Sequence, residues 1–172
     1  MPPLTHITLK YLLILYLIAM TTTKAVAQEM YAVLTGSKLT FYYDTQKNTR
    51  SGTVYYPNKD DEPTPGWWNV RTQITIVDFH SSFAQARPTT TSCWFYMSYL
   101  TSINGINYLN TSEVTKMGAM FRSCSRLTSL DVSGFNTSKV KDMGDMFYEC
   151  GSLTSLDVSG FDLSSLYYSQ SQ

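Results

Sequence analysis

A 26-residue unit is written twice, back to back, in the second half of the chain. Leu109–Gly134 reads LNTSEVTKMGAMFRSCSRLTSLDVSG and Phe135–Gly160 reads FNTSKVKDMGDMFYECGSLTSLDVSG, with 17 of the 26 positions identical. A repeat of this length encodes one small supersecondary unit that stacks on copies of itself. No single unit can bury its apolar face alone, so contact between neighbours has to supply the core. Such an array points to a surface that binds, rather than a pocket that reacts.

The register extends upstream of the clean repeats. Ile74, Leu100, Leu127 and Leu153 fall at spacings of 26, 27 and 26. Val77, Ile103, Leu130 and Leu156 keep those spacings, as do Asp78, Asn104, Asp131 and Asp157. The surplus residue lies within Asn104–Tyr108, where a bulged loop is expected. Four turns result, the first two degenerate. In each clean copy Leu127-Thr-Ser-Leu-Asp-Val132 has the L-x-x-L-x-L rhythm of a leucine-rich strand. Val140, Met143, Met146 and Phe147 recur at helical spacing, which predicts a short helical turn held by packing. Parallel strands are therefore expected near 74–79, 100–104, 127–132 and 153–158.

Upstream of the array, Tyr31–Leu34, Leu39–Tyr43 and Thr53–Tyr56 are aromatic and β-branched runs broken by Gly and Asn. They read as a small antiparallel meander. Lys59–Gly66 is a charged, Pro-rich loop. At the N-terminus, Lys10 precedes the apolar run Tyr11–Met20, and Ala25-Val-Ala27 follows. This has the form of a signal peptide cleaved after Ala27, too short for a membrane span of about 20 residues. The expected organisation is a signal peptide over 1–27, a meander or cap over 28–72, the repeat array over 73–166 and a tail over 167–172.

The motifs Asn136-Thr-Ser-x-Val140, Met143-x-x-Met-Phe147, Cys150 and Leu153-Thr-Ser-Leu-Asp-Val158 resemble the BspA-like leucine-rich-repeat surface proteins of Bacteroidetes type. The resemblance covers Leu109–Phe161, with an approach from Phe83 to Asn110. It implies a β-rich α/β fold, a right-handed solenoid of parallel strands and short helical turns preceded by the meander. It also implies a secreted or cell-surface bacterial adhesin. The chain departs from that family in carrying few repeats.

Charge and site chemistry narrow the function. Lys plus Arg and Asp plus Glu are 13 each. That balance gives no reason to expect nucleic acid or an anionic membrane as partner. His80 is the only histidine outside the signal segment. No Ser–His–acid set, phosphate loop or metal-ligand spacing can be assembled, so neither an enzyme nor a cofactor is expected. The Asp column could bind a cation, but Asx turns explain it better. Cys124 and Cys150 occupy the same repeat position, so their side chains point the same way and are expected as free thiols. Trp67, Trp68, Tyr42-Tyr43 and Tyr55-Tyr56 are expected to pack against the first turn. Asn110-Thr-Ser112 and Asn136-Thr-Ser138 match the glycosylation sequon but read as loop formers.

The expected binding surface is the polar face of the strands: Thr101 and Ser102, then Thr128, Ser129 and Asp131, then Thr154, Ser155 and Asp157. Short hydroxyls offer hydrogen bonds with little rotamer entropy to lose. The expected partner is an extracellular protein or glycan, with no membrane association after signal cleavage. The alternative is a structural spacer or self-associating fragment without a ligand. Phe161–Leu166 begins another turn that Tyr167–Gln172 does not continue, as in a truncated or short family member. Its open C-terminal edge is expected to self-associate or fray.

Overall fold

The computed structural model describes residues 26–59 and 62–166. The expected signal segment up to residue 25 and the 167–172 tail lie outside the described residues. The first element is a hairpin. β1 (Glu29–Thr35) pairs antiparallel with β2 (Lys38–Asp44) through Gly36-Ser37, with Thr35 opposite Lys38. Gly36 sits at φ +60, the left-handed geometry that the first position of a tight hairpin turn requires. β3 (Thr53–Tyr55) pairs antiparallel on the other side of β1. The three strands are antiparallel as expected, but β3 returns to β1 instead of following β2, so they do not form the expected meander.

β4 (Ile76–Phe79) then lies parallel to β2, placing Phe79 beside Phe41. β5 (Ser102–Asn104) lies parallel to β4, with Val77 opposite Ile103 and Asp78 opposite Asn104. The result is one open mixed sheet of order β3-β1-β2-β4-β5. Gly105, at φ +68, and a 3₁₀ turn over Ile106–Tyr108 absorb the surplus residue after β5. Among the described residues there is no α-helix.

This corrects the expected fold class. The chain is a strand-dominated small domain built on one five-stranded sheet, not a right-handed leucine-rich-repeat solenoid. Leu127–Val132 and Leu153–Val158 are irregular rather than strands, and 140–147 forms turns rather than a helix. The reason is where the backbone bonds go. Between Leu127–Val132 and Leu153–Val158 the one backbone bond is Thr154 N to Thr128 O, at 3.4 Å. The bonds that tie the clean repeats together gather instead in the preceding turns. Met117, Ala119, Phe121 and Ser123 donate to the carbonyls of Asp142, Gly144, Met146 and Tyr148 at 2.7–2.9 Å. That ladder runs through left-handed residues. Cys93, Ala119 and Asp145 have φ of 60, 53 and 56, and Ser123 and Glu149 have 57 and 61. A backbone bent this way cannot continue a regular strand or helix.

A single core spans both halves. Phe41 stacks on Phe79 and Trp94, at 4.7 and 5.3 Å between centroids, and meets Trp67, Phe83 and Phe95 edge-on. Trp67 is fully buried and its Nε1 donates to Trp94 O at 2.8 Å. Trp94 Nε1 donates to Asn58 Oδ1 at 2.7 Å. Phe95, Phe121 and Phe147 continue the core as a stack at 5.3 and 5.6 Å. Met117, Met120, Val114 and Val140 are completely buried, as their spacing requires. Leu130 and Leu156 are only half-buried, whereas Leu127 and Val132 are 1% and 2% exposed.

Candidate binding surface

The residues of the expected polar face come from β5 and from the irregular segments after Leu127 and Leu153. Thr128, Ser129, Asp131, Thr154, Ser155 and Asp157 are exposed, as is Thr101, while Ser102 is half-buried in β5. They do not all serve alike. Thr101 turns inward to a backbone bond, its Oγ1 donating to Thr75 O at 2.9 Å. Thr154 Oγ1 makes the same bond to Thr128 O at 3.4 Å. These hydroxyls brace one turn against the previous one.

Asp131 and Asp157 close Asx turns. Asp131 Oδ1 accepts from Ser133 N at 3.0 Å and Asp157 Oδ1 from Ser159 N at 2.9 Å. Asp78 is held differently, by Asn104 Nδ2 at 2.7 Å and Lys38 Nζ at 3.1 Å. Among the described residues no three carboxylate, thiol or imidazole groups gather where a metal could sit.

What remains is a small set. Ser129 and Asp131 from one repeat and Ser155 from the next rim a shallow recess with Ile103, Ile106 and Leu130 on its walls. The hydroxyls of Thr128, Ser129 and Ser155 have no hydrogen-bond partner among the described residues. Free hydroxyls around an apolar floor can accept and donate to a ligand that also presents a nonpolar face. A second recess, between β3 and the loop before Gly66, is lined by Met30, Val54, Tyr55, Asn58 and Arg87 and holds none of the expected residues.

The remaining candidates settle into structural roles. Cys124 and Cys150 are free; their thiols donate to Phe95 O at 2.7 Å and Phe121 O at 3.0 Å, one turn back. Burial pushes the Cys124 thiol up to about 12. His80 Nδ1 accepts from Ser82 N at 3.2 Å and caps the following 3₁₀ turn. In the sequons, Asn110 and Asn136 make Asx turns, while the threonine is an unforeseen staple. Thr111 Oγ1 accepts from Asn136 N at 2.7 Å and donates to Asn136 O at 3.0 Å. Thr137 binds Asp162 in the same way, at 2.7 and 3.1 Å.

Sequence reasoning also missed the column Tyr96–Arg122–Tyr148, whose members are 26 residues apart. Arg122 packs its guanidinium between the two rings, 5.7 Å from Tyr96 and 4.7 Å from Tyr148. The spacing was visible, but the arginine between two tyrosines breaks the identity that would have marked a repeat.

The family model described as "Mycoplasma protein of unknown function, DUF285" matches residues 89–171. The match spans the clean repeats and the turn before them. It replaces the expected resemblance to BspA-like leucine-rich-repeat proteins, to which no family match was found. The rhythm that suggested leucine-rich repeats is a burial pattern in this chain, with Leu127 and Val132 turned inward. No curated protein and no solved structure matches the chain.

Proposed function

We propose that the chain is a secreted or cell-surface binding module of adhesin type. In this reading it is not an enzyme, and it engages an extracellular protein or glycan through the recess rimmed by Ser129, Asp131 and Ser155. The observation that carries the reading is the unpaired pair of Ser129 and Ser155 hydroxyls beside the apolar Ile103, Ile106 and Leu130 walls. Solvated short hydroxyls lose little entropy on binding, and the walls supply area. Export through the N-terminal segment would deliver the chain to such a partner, without nucleic acid or membrane binding.

An array of matrix proteins and glycans, probed with the chain beginning at Gln28, tests this. Retention on a subset is expected, reduced by S129A/S155A at unchanged melting temperature. Retention on nothing would sink it. The second reading, a spacer that self-associates through its C-terminal edge, draws on Val158 and Leu163, 41% and 47% exposed. Light scattering over a concentration series separates the two, because only the spacer reading expects growth in mass together with an empty array.

A further inference from the structure

Aromatic rings and arginines, half-buried to exposed, form a column on the turns that precede the polar recess, with a second ring–arginine pair on the same turns. Trp68 meets Tyr96 edge-on at 5.3 Å. Arg71 lies 4.0 Å above the Trp68 ring and 5.9 Å from Tyr96. Arg122 continues the series between Tyr96 and Tyr148, and Arg126 stacks 4.5 Å over Tyr99. Tyr99 and Tyr148 are 43% and 51% exposed. Rings and guanidinium groups thus alternate from the 3₁₀ turn at Trp68 to the last clean repeat.

The strip carries Arg71, Arg122 and Arg126, with the carboxylates of Asp145 and Glu149 acting on Arg122. Arg122 is paired with Asp145, but Arg71 and Arg126 take part in no salt bridge among the described residues. A guanidinium stacked on a ring is partly desolvated and held in one orientation. Arg71 is further fixed by its Nη1, which donates to Trp68 O at 2.8 Å, so only its remaining N–H groups are left for a ligand. A free guanidinium fork donates to a carboxylate in two parallel bonds. Exposed aromatic rings beside it suit the C–H face of a sugar.

We propose that this strip docks an acidic polysaccharide, a uronic-acid polymer being the fitting chemistry. Charge complementarity selects the acid. The spacing selects the polymer. Neighbouring turns bonded through their backbones lie about 4.8 Å apart, whereas an extended peptide advances about 3.3 Å per residue. The turn spacing is close to the advance per ring of an extended hexose chain, so one sugar per turn keeps in step with the column. The surface is separate from the Ser129–Ser155 recess and does not depend on it.

Affinity electrophoresis of the full chain tests this with three embedded polymers: polygalacturonate, dextran and polyglutamate. Retardation by polygalacturonate that weakens with added salt is expected, with dextran and polyglutamate at least about tenfold weaker. R71Q/R126Q should lose about tenfold or more, as expected for charge-assisted bonds, while K139Q leaves retention unchanged. No retardation of the wild-type chain by polygalacturonate would overturn the proposal. So would equal retardation by polyglutamate, which would make the partner an acidic peptide. Binding by R71Q/R126Q within about twofold of wild type, at matching circular dichroism and melting temperature, would also overturn it. The wild-type polymer preference stands as a test even if the double variant does not fold.

Discussion

Among the described residues, five with a side chain sit in left-handed backbone, and three of them, Cys93, Ala119 and Asp145, share one repeat position. Each such residue costs about 1 kcal/mol or more, because Cβ crowds the following carbonyl. Ala119→Gly should therefore stabilise the chain by about 0.5 kcal/mol, after the added entropy of an unfolded glycine is set against the relief. A urea titration measures it, and a loss of stability would show that the Ala119 methyl packs usefully. The Asx turns give a second prediction. The hydroxyl and backbone N–H of Ser133 hold the Asp131 carboxyl below its ordinary range. The N–H and hydroxyl of Ser159 lower Asp157, and the hydroxyl and N–H of Ser164 lower Asp162. A lowered folded-state value means stability that is present above the unfolded carboxylate range, about 3.9, and lost as pH falls through the folded values. The melting temperature should fall on acidification below about pH 4. D131N/D157N/D162N keeps the turn geometry and should flatten that fall; parallel wild-type and variant curves would refute the assignment.

At the level of the element, the threonine staples tie each clean repeat to the segment one turn on. Thr111 and Thr137 are each 2% exposed, and each satisfies both the N–H and the C=O of a residue one turn on. Thr111→Val preserves shape but orphans both groups of Asn136, at a cost of about 1–3 kcal/mol. Chemical denaturation should show it, while Ser138→Ala in the exposed third sequon position stays within about 0.5 kcal/mol. Equal effects would mean that Thr111 contributes through packing alone. The sequon was legible as a turn because its asparagine chemistry is local. Its staple was not legible, because the partner lies 25 residues away. The leucine segments failed in the opposite direction. Their rhythm correctly turned Leu127 and Val132 inward, but inward side chains do not oblige the backbone to pair.

The whole molecule is organised around Phe41, which joins the antiparallel strands to the repeats through Trp67, Phe79, Phe83, Trp94 and Phe95. Phe41→Ala should cost about 3–5 kcal/mol, as for a large ring removed from a packed core. Because this ring serves both halves, unfolding should be one cooperative event. Fluorescence of buried Trp67 and Trp94 reports the junction around Phe41, and the Cys124 thiol, unreactive while buried, reports the later repeats. Coincident midpoints are expected. Separate transitions would mean that the later repeats unfold independently of that junction.

The amino-acid sequence by itself determined the 26-residue unit and the residues it turns inward. It also determined the Asx turns that end each pass and the antiparallel strands before them, though not their order. These are local properties: side-chain periodicity encodes burial, and Asn, Asp and Gly encode turns. Only the tertiary structure decided where the backbone pairs. β4 found the free edge of β2, so the first repeat turns became the parallel half of the antiparallel strands' own sheet. The later repeats bonded through their left-handed turns instead of their leucine segments. The aromatic–arginine strip was likewise decided in space, because a ring and a guanidinium attract across turns whatever their sequence identity.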